Sequence, residues 1–287
     1  MSGEEGKLSK SQLKNKKRRE KEKRNKEQKA PPAASSATAA SPATATAAAP
    51  KEDPALNMAL FKAVYVGDLG TVKKMVKRGA AVNQFVQGYA PLGLASDKSA
   101  VDIAEVLLDN GALVDVASEA GGDSPLIMAC ARSHVPMATL LLKHGANTAL
   151  ADADGDGPLS IAVQKCHLAL CAALLKNKAD PNASNAAGVT PLYLAALMGV
   201  ENVVALLLKF GADPGLVCAQ AGAAPVHAAC WHGHLAAARL LLDAKVDVDA
   251  RSQQEATPLY IACQNAHIDV KVKHSVVGAP FGPLWWP

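Results

Sequence analysis

Residues 188–213 read GVTPLYLAALMGVENVVALLLKFGAD, and the pattern of this stretch recurs along the chain. Its proline belongs to a series whose members follow one another at intervals of 34, 33, 33, 34 and 33 residues: Pro91, Pro125, Pro158, Pro191, Pro225 and Pro258. A constant period of this length is typical of stacked structural repeats, each of which cannot bury its apolar face alone. The sequence therefore predicts a repeat protein.

Two further positions keep the same register. Three residues before the proline, glycine recurs until Glu255 replaces it in the last repeat: Gly88, Gly122, Gly155, Gly188 and Gly222. Sixteen and seventeen residues after the proline, a leucine pair recurs: Leu107-Leu108, Leu141-Leu142, Leu174-Leu175, Leu207-Leu208 and Leu241-Leu242. A register kept at several positions at once does not arise by chance.

Each repeated position has a physical reason. A proline at the first position of a helix loses no hydrogen bond, and hydroxyl side chains before it can cap free backbone N–H groups. Three repeats have such a residue: Ser124, Thr190 and Thr257. The second helix carries the leucines and ends at a left-handed position, which Gly211 occupies without strain. Lys178 and Lys245 occupy that position in two repeats, at a cost of roughly 1 kcal/mol each.

Residues 188–213 look like an ankyrin repeat, and the register over residues 54–274 resembles an array of the ankyrin-repeat family. This resemblance implies an all-α solenoid in which each unit is a β-hairpin-like finger followed by two antiparallel helices, stacked at a spacing of about 10 Å. Residues 54–83 fit an N-terminal cap repeat, and about six repeats follow. The last is incomplete, because His274 and Ser275 stand where the leucine pair is expected.

The flanking segments differ from the array in composition. Residues 1–29 contain 12 Lys or Arg and five Glu, a net charge of +7, whereas the rest of the chain carries −3. We expect this tail to be disordered, because it has almost no apolar side chain to bury. Residues 30–53 form a low-complexity Ala/Pro/Ser/Thr linker, and residues 275–287 form an irregular tail with two adjacent tryptophans. For that end two interpretations stay open: the natural chain is longer, or the reading frame is shifted.

The basic tail contains a run of four cations, Lys16, Lys17, Arg18 and Arg19. Three interpretations stay open: a nuclear-import signal read by an import receptor, a contact to RNA or the ribosome, and a solubilising charge run. No aromatic residue is interleaved for base stacking, so any nucleic-acid contact would be to the backbone and sensitive to salt.

The sequence contains no apolar run of about 18 residues and no apolar stretch behind its charged N-terminus. It therefore predicts neither a transmembrane span nor a signal peptide. We expect a monomer in the cytoplasm, the nucleus or both, with no membrane contact.

No motif of a hydrolase, kinase or metalloprotease occurs with supporting context, so we expect no enzyme activity and no cofactor or metal. Cys130, Cys230 and Cys263 share one position, five residues after the proline, where they are expected to be buried as small apolar residues. The segment beginning at Asp152 resembles a calcium loop, but Val163 stands where the bidentate Glu is required.

Four histidines share the position nine residues after the proline: His134, His167, His234 and His267. The resemblance implies that they make turn-stabilising hydrogen bonds, and that His227 has an equally structural role in its own position.

The resemblance also implies that residues six and seven after each proline face a concave groove. The candidate binding residues among them are Lys98, Arg132, Lys165, Leu197, Met198, Trp231, His232 and Asn265. Leu197, Met198 and Trp231 form an apolar centre in adjacent repeats, and an exposed Trp with polar surroundings is typical of a binding hot spot. The alternative is that these side chains only pack against the neighbouring finger.

We therefore predict a non-catalytic protein–protein interaction scaffold or adaptor that binds a partner protein on its concave face. Two alternatives stay open: a factor bound to nucleic acid or the ribosome through its basic tail, and a regulatory fragment of a larger enzyme. The family resemblance further implies hydroxylation of a finger asparagine, for which Asn182, with Leu174 eight residues upstream, is the candidate.

Overall fold

The computed structural model describes residues 53–119 and 121–265, all within one compact unit, Pro50–Pro287. The predicted basic tail (1–29), the linker up to residue 52 and the irregular tail (275–287) lie outside the described residues, as does the second helix expected for the last repeat.

Over its described residues the chain forms 13 helices and no β-strand. In chain order they are α1 (Pro54–Val66), α2 (Leu69–Lys77), α3 (Pro91–Asp97), α4 (Val101–Asp109), α5 (Pro125–Ala131), α6 (Val135–Lys143), α7 (Pro158–Gln164), α8 (Leu168–Lys176), α9 (Pro191–Met198), α10 (Glu201–Lys209), α11 (Pro225–Trp231), α12 (Leu235–Asp243) and α13 (Pro258–Gln264). Odd-numbered helices are the first helix of a unit and even-numbered helices the second. The predicted all-α repeat architecture is thus confirmed, and none of these helices is long and apolar enough to cross a membrane.

The first helices begin where the sequence places them. The hydroxyl oxygens of Ser124, Thr190 and Thr257 accept hydrogen bonds from the N–H three residues later, at 3.3, 3.2 and 3.3 Å. In α1 the carboxylate of Asp53 takes this role, accepting from the N–H of Ala55 at 3.0 Å. Each cap satisfies a donor that the helix leaves without a partner.

The left-handed positions also agree with the repeat register. Gly211 ends α10 at φ 87°, and Lys178 and Lys245 adopt φ 65° and 61° at the equivalent position. Glu255, which replaces the recurrent glycine before Pro258, has φ 57°. The left-handed backbone conformation is therefore kept even where another residue replaces glycine. Each such replacement costs roughly 1 kcal/mol.

The fingers that connect the units contain less β-type backbone pairing than the β-hairpin-like fingers implied by the family resemblance. Among the described residues, β-type pairing is limited to two isolated bridges, Val86 with Tyr89 and Cys218 with Ala223. The segments between the turns are too short for a ladder, so neighbouring fingers hold one another through single backbone hydrogen bonds. One joins the N–H of Gln253 to the carbonyl of Ala221 at 3.1 Å.

The core runs through the array as two parallel layers. Each described first helix contacts the first helices of the adjoining units, and the second helices do likewise. Ala195 and Ala196 are fully buried and allow the first helices to approach closely. The first leucine of every pair is fully buried: Leu107, Leu141, Leu174, Leu207 and Leu241. Each contributes about 1.5–3 kcal/mol of burial free energy.

One cysteine prediction is wrong. Cys130 and Cys230 are buried as expected, and burial raises the pKa of each thiol to about 12. Cys263 is exposed instead. It lies on α13, and no helix of a following unit is among the described residues to cover that face.

Candidate protein-binding groove

A cleft of about 380 Å³ lies between the first helices α9, α11 and α13 and the fingers that precede α11 and α13. The helices contribute Tyr193, Leu197, Trp231 and Ile261 to its walls, the residue after α11 contributes His232, and the finger tips contribute Gln220, Gln253 and Gln254. We call this site the Trp231 cleft. Its position at the ends of the first helices is the one that the sequence predicts for a binding groove.

Among the described residues, the walls of the Trp231 cleft contain no Asp, Glu, Lys or Arg. Their polar side-chain groups are the amides of the three glutamines, the hydroxyls of Ser252 and Tyr193, the imidazoles of His227 and His232, and the indole N–H of Trp231. Such walls recognise a ligand by apolar contact and neutral hydrogen bonds, because burying an unpaired charge there would cost several kcal/mol.

The predicted apolar centre is only partly assembled. Trp231 is 51% exposed and lines the cleft together with Leu197, which is half-buried, and the exposed His232. Met198 is 38% exposed but is not part of the cleft wall. Leu197, Trp231 and His232 are thus brought together, and Met198 is left outside.

His227 fixes the wall behind Trp231. Its Nδ1 accepts a hydrogen bond from the N–H of Ala224 at 3.1 Å, and its Nε2 lies 3.0 Å from the carbonyl oxygen of Ala250. With Nδ1 accepting, the proton is on Nε2 and is donated to Ala250. Burial lowers the pKa of His227, against the raising effect of these backbone contacts. The structural role predicted for His227 is therefore confirmed.

The histidines at the start of the second helices differ among themselves. Nε2 of His234 lies 3.1 Å from the carbonyl oxygen of Leu197, and Nδ1 of His167 accepts from the N–H of Leu170 at 3.4 Å. Nδ1 of His134 is buried without a hydrogen-bonding partner in the described part of the chain, so the predicted bond is missing there. His267 lies outside the described residues.

Two of the predicted binding residues lie at a different site. A second cleft of about 270 Å³, the Arg132 cleft, is lined by Tyr89, Asp97, Asp123, Met128, Ala131 and Arg132. Nε of Arg132 donates to Asp97 of the preceding unit at 2.9 Å. Nζ of Lys98 lies 3.9 Å from Asp97 and 4.8 Å from the centre of the Tyr65 ring. Lys98 and Arg132 therefore converge on Asp97, away from the Trp231 cleft.

The remaining candidates are scattered. Lys165 is exposed and lines neither cleft, and the side-chain amide of Asn265 donates to the carbonyl of Ile261 in its own helix at 3.1 Å. The Lys16, Lys17, Arg18 and Arg19 run lies outside the described residues.

Asn182 joins two repeats. Its Oδ1 accepts from the N–H of Asp213 at 2.8 Å, and its Nδ2 lies 3.4 Å from the carbonyl of Gly211. Asn83 makes the equivalent pair of bonds to Leu113 and Gly111. This conformation gives the Asn182 side chain a structural role between the two repeats.

The carboxylates of the acidic segment that begins at Asp152 accept hydrogen bonds mostly from their own repeat. One oxygen of Asp152 accepts from the N–H groups of Asp154 and Asp156, at 3.0 and 2.8 Å. Asp156 in turn accepts from Gln164 at 2.7 Å and from Asn185 at 2.9 Å. These carboxylates cap a turn, and in the part of the chain that the structure describes no three potential metal ligands are grouped.

Sequence reasoning missed Tyr193 and the finger-tip glutamines. The repeat register contained a signal for them, because Gln220 and Gln253 both stand five residues before a proline. The tips of adjacent fingers form one wall only after stacking, so composition alone did not mark them.

Comparison with known proteins supports the repeat assignment. The family model described as "Ankyrin repeats (3 copies)" matches residues 113–185, 152–218 and 192–272, which together span more than half of the chain. The chain is also 32% identical over 109 residues to palmitoyltransferase ZDHHC13 from Pongo abelii and from Homo sapiens. That alignment covers 37% of this chain and 17% of each relative, so the chain matches only a small part of those proteins. With a period of 33 or 34 residues and paired helices in every complete described unit, this chain belongs to the ankyrin-repeat family.

Proposed function

We propose that this protein is a non-catalytic scaffold or adaptor that binds a partner protein in the Trp231 cleft. The observation that carries the proposal is a half-exposed tryptophan in a cleft between three adjoining units, whose described walls carry no Asp, Glu, Lys or Arg. Ankyrin repeats are in general protein-interaction modules, and a Trp in a concave site contributes more to binding than most residues at an interface.

The cleft walls are organised before any partner arrives. His227 joins the start of α11 to Ala250, and the bond between Gln253 and Ala221 joins the two fingers. A partner therefore does not have to order these walls, which lowers the free-energy cost of association.

The walls also define the partner's chemistry. Trp231, Leu197 and Ile261 offer apolar contacts, and the glutamine amides can both donate and accept hydrogen bonds. The ligand that fits is an uncharged peptide segment or loop with at least one large apolar side chain. We further propose that the protein binds it as a monomer in the cytoplasm or the nucleus.

A selection from a random peptide library on the immobilised full-length protein tests this proposal. Selected peptides should be apolar and uncharged, should bind Trp231→Ala far more weakly, and should bind Leu168→Ala as they bind the wild type. Leu168 is the matched control because it is an exposed aliphatic residue, 40% accessible, that lines neither cleft. Selected peptides that bind all three proteins equally would contradict the proposal.

A second candidate is a nucleic-acid or ribosome-associated factor. The net charge of +7 on residues 1–29 favours it, because a basic segment binds phosphate backbones without sequence readout. Removing residues 1–50 should then abolish RNA binding, which should also weaken steeply with salt, and should leave peptide binding in the Trp231 cleft unchanged.

A third candidate is a regulatory part of an enzyme. The observation that favours it is the match to palmitoyltransferases, most of whose length lies outside the aligned segment. Sequencing the full transcript tests this candidate directly, since a catalytic domain would be encoded beside the repeats.

A further inference from the structure

We propose that the partner segment bound in the Trp231 cleft is a left-handed polyproline II helix with an apolar residue at every third position. This ligand rests on the proposed function and narrows it, because it specifies the backbone conformation and the residue spacing of the partner segment. The cleft selects this conformation through the period at which its own binding groups recur.

The cleft contains two kinds of binding group, and each recurs in successive units. Leu197 and Trp231 both stand six residues after the proline of their unit. Gln220 and Gln253 both stand five residues before a proline. All four residues line the cleft. The cleft therefore carries an apolar pair and an amide pair, and the members of each pair are one unit apart.

These pairs are particular to this part of the array. In the other units, the position of Leu197 and Trp231 is occupied by polar residues or alanine: Asp97, Ala131, Gln164 and Gln264. The position of Gln220 and Gln253 is occupied there by small apolar residues: Val86, Ala120, Ala153 and Ala186. The two pairs thus coincide at the Trp231 cleft and are not a general feature of the repeat.

Backbone hydrogen bonds fix the finger tips that carry the amides. The N–H of Cys218 donates to the carbonyl of Ala223 at 3.0 Å and closes the finger that carries Gln220. The N–H of Gln253 donates to the carbonyl of Ala221 at 3.1 Å and joins its tip to that finger. Gln220 and Gln253 are themselves exposed, so a ligand can reach their amides at a fixed spacing.

The spacing of the apolar pair matches a polyproline II helix. Packed units follow one another at about 10 Å. A polyproline II helix turns once in three residues and presents the same face about every 9.3 Å. A β-strand presents the same face every second residue, about every 6.6 Å, and its third residue points away. A polyproline II ligand can therefore place one apolar side chain on Leu197 and the next on Trp231.

The amide pair distinguishes this ligand from an α-helix. An α-helix also presents one face about every 10.5 Å, at every seventh residue, but its carbonyl groups are bonded within the helix. The carbonyl groups of polyproline II have no internal partner. The amides of Gln220 and Gln253 can donate to two such carbonyls one turn apart. Tyr193 and Trp231 add the aromatic lining on which proline-rich segments dock.

Two synthetic nonapeptides of the same composition test the spacing. LPPLPPLPP has leucine at every third residue, on one face of a polyproline II helix. LPLPLPPPP has leucine at every second residue, so its leucines point to three different sides. Both are acetylated and amidated and carry no charge. Isothermal titration with the full-length protein gives their dissociation constants, and circular dichroism verifies that both peptides are polyproline II helices.

We expect LPPLPPLPP to bind about tenfold more tightly than LPLPLPPPP, because it buries one further leucine side chain against the pair of Leu197 and Trp231. Trp231→Ala should weaken LPPLPPLPP and largely remove the difference between the two peptides. Equal dissociation constants for the wild-type protein, or tighter binding of LPLPLPPPP, would overturn the inference.

The double variant Gln220→Ala/Gln253→Ala tests the hydrogen bonds to the ligand. It should bind LPPLPPLPP about tenfold more weakly, because two carbonyl groups of the peptide lose their donors. Gln84→Ala is the matched control, since Gln84 is an exposed glutamine that lines neither cleft. Circular dichroism verifies that both variants keep the wild-type helix content. An unchanged dissociation constant in the double variant would also overturn the inference.

The outcome is separable from that of the proposed function. If library peptides bind through Trp231 but share no three-residue spacing, and LPPLPPLPP binds no better than LPLPLPPPP, the cleft stands as a binding site and the polyproline II ligand is wrong. If neither the library nor LPPLPPLPP yields binding that depends on Trp231, the proposed function is wrong and the polyproline II ligand falls with it.

Discussion

Nε2 of His234, at the start of α12, lies 3.1 Å from the carbonyl oxygen of Leu197, near the end of α9 in the preceding unit. The same imidazole ring lies directly over Gly199, where an added Cβ would collide with it. One histidine thus holds the second helix of one unit against the end of the first helix of another. Because Leu197 lines the Trp231 cleft, this contact also positions a wall of the candidate binding site.

Gly199→Ala should destabilise the protein by about 3 kcal/mol, combining left-handed strain with displacement of the His234 ring from its hydrogen bond. Gly211→Ala is the matched control, because its φ of 87° is equally left-handed but an added Cβ meets nothing within 4 Å. It should cost only about 1 kcal/mol. Urea unfolding measures both, and equal losses would show that the His234 contact is unimportant.

Trp231→Ala should weaken binding of a selected peptide by about 2 kcal/mol or more, roughly 30-fold, while the unfolding midpoint stays nearly unchanged. The side chain is 51% exposed and lies outside the buried core, so its removal opens no cavity. Isothermal titration and thermal unfolding give the two quantities, with Leu168→Ala as the control. A large loss of stability with unaltered binding would assign Trp231 to the fold instead.

Stability should fall as the pH is lowered below 6.5. Burial lowers the pKa of His227 below its ordinary value of 6.5. Just below pH 6.5 the histidine is therefore protonated in the unfolded chain but still neutral in the folded chain. The contribution of neutral His227 to the free energy of unfolding is complete above pH 6.5. It is lost as the pH falls towards the lowered pKa, by up to about 1.4 kcal/mol per pH unit. Urea unfolding at several pH values measures this slope.

His227→Gln is the control for this pH dependence. It removes the titrating group, so the slope between pH 5 and 6.5 should become shallower even though the variant is less stable throughout. A slope identical to that of the wild type would assign the pH dependence to other groups.

Asn182→Ala should cost about 1–2 kcal/mol, because the N–H of Asp213 and the carbonyl of Gly211 both lose a partner. Ser184→Ala, in the same finger and exposed, is the matched control and should change stability by less than about 0.5 kcal/mol. Chemical unfolding compares the two. Equal effects would mean that the inter-repeat bonds contribute nothing measurable.

Hydroxylation of Asn182 stays a prediction. Leu174, the upstream residue on which it depends, is fully buried, and Asn182 itself is engaged with the next unit. An enzyme could reach this pair only after local opening of α8 and the following finger, since neither side chain is free in the folded state. Mass spectrometry of the native protein should find one added oxygen on Asn182 in a fraction of molecules, and its complete absence would remove the prediction.

Much of the fold could be predicted because each repeat encodes its own backbone. The N-caps at Ser124, Thr190 and Thr257 and the left-handed positions at Lys178 and Lys245 were all identified from the sequence register. These features depend on residues a few positions apart, and they recur at the same positions in successive repeats, which is why the sequence predicts them. The weak point was Cys263, whose burial depends on the unit that follows.

The candidate site was less predictable than the fold. The register placed Leu197, Trp231 and His232 on one face, and the structure brings these three together. It could not separate them from Met198, nor from Lys98 and Arg132, which converge on Asp97 instead. Side chains at equivalent positions meet different neighbours, because those neighbours come from adjoining units that differ in sequence.

The sequence by itself determined the period, the helix starts, the left-handed turns and the family, since all of these are local properties that recur every 33 or 34 residues. Only the tertiary structure decided that the finger tips at Gln220, Gln253 and Gln254 line one cleft together with Trp231. The physical reason is the distance along the chain. The walls come from three successive units, in which equivalent residues such as Gln220 and Gln253 are 33 positions apart, and only stacking of the units brings them within contact.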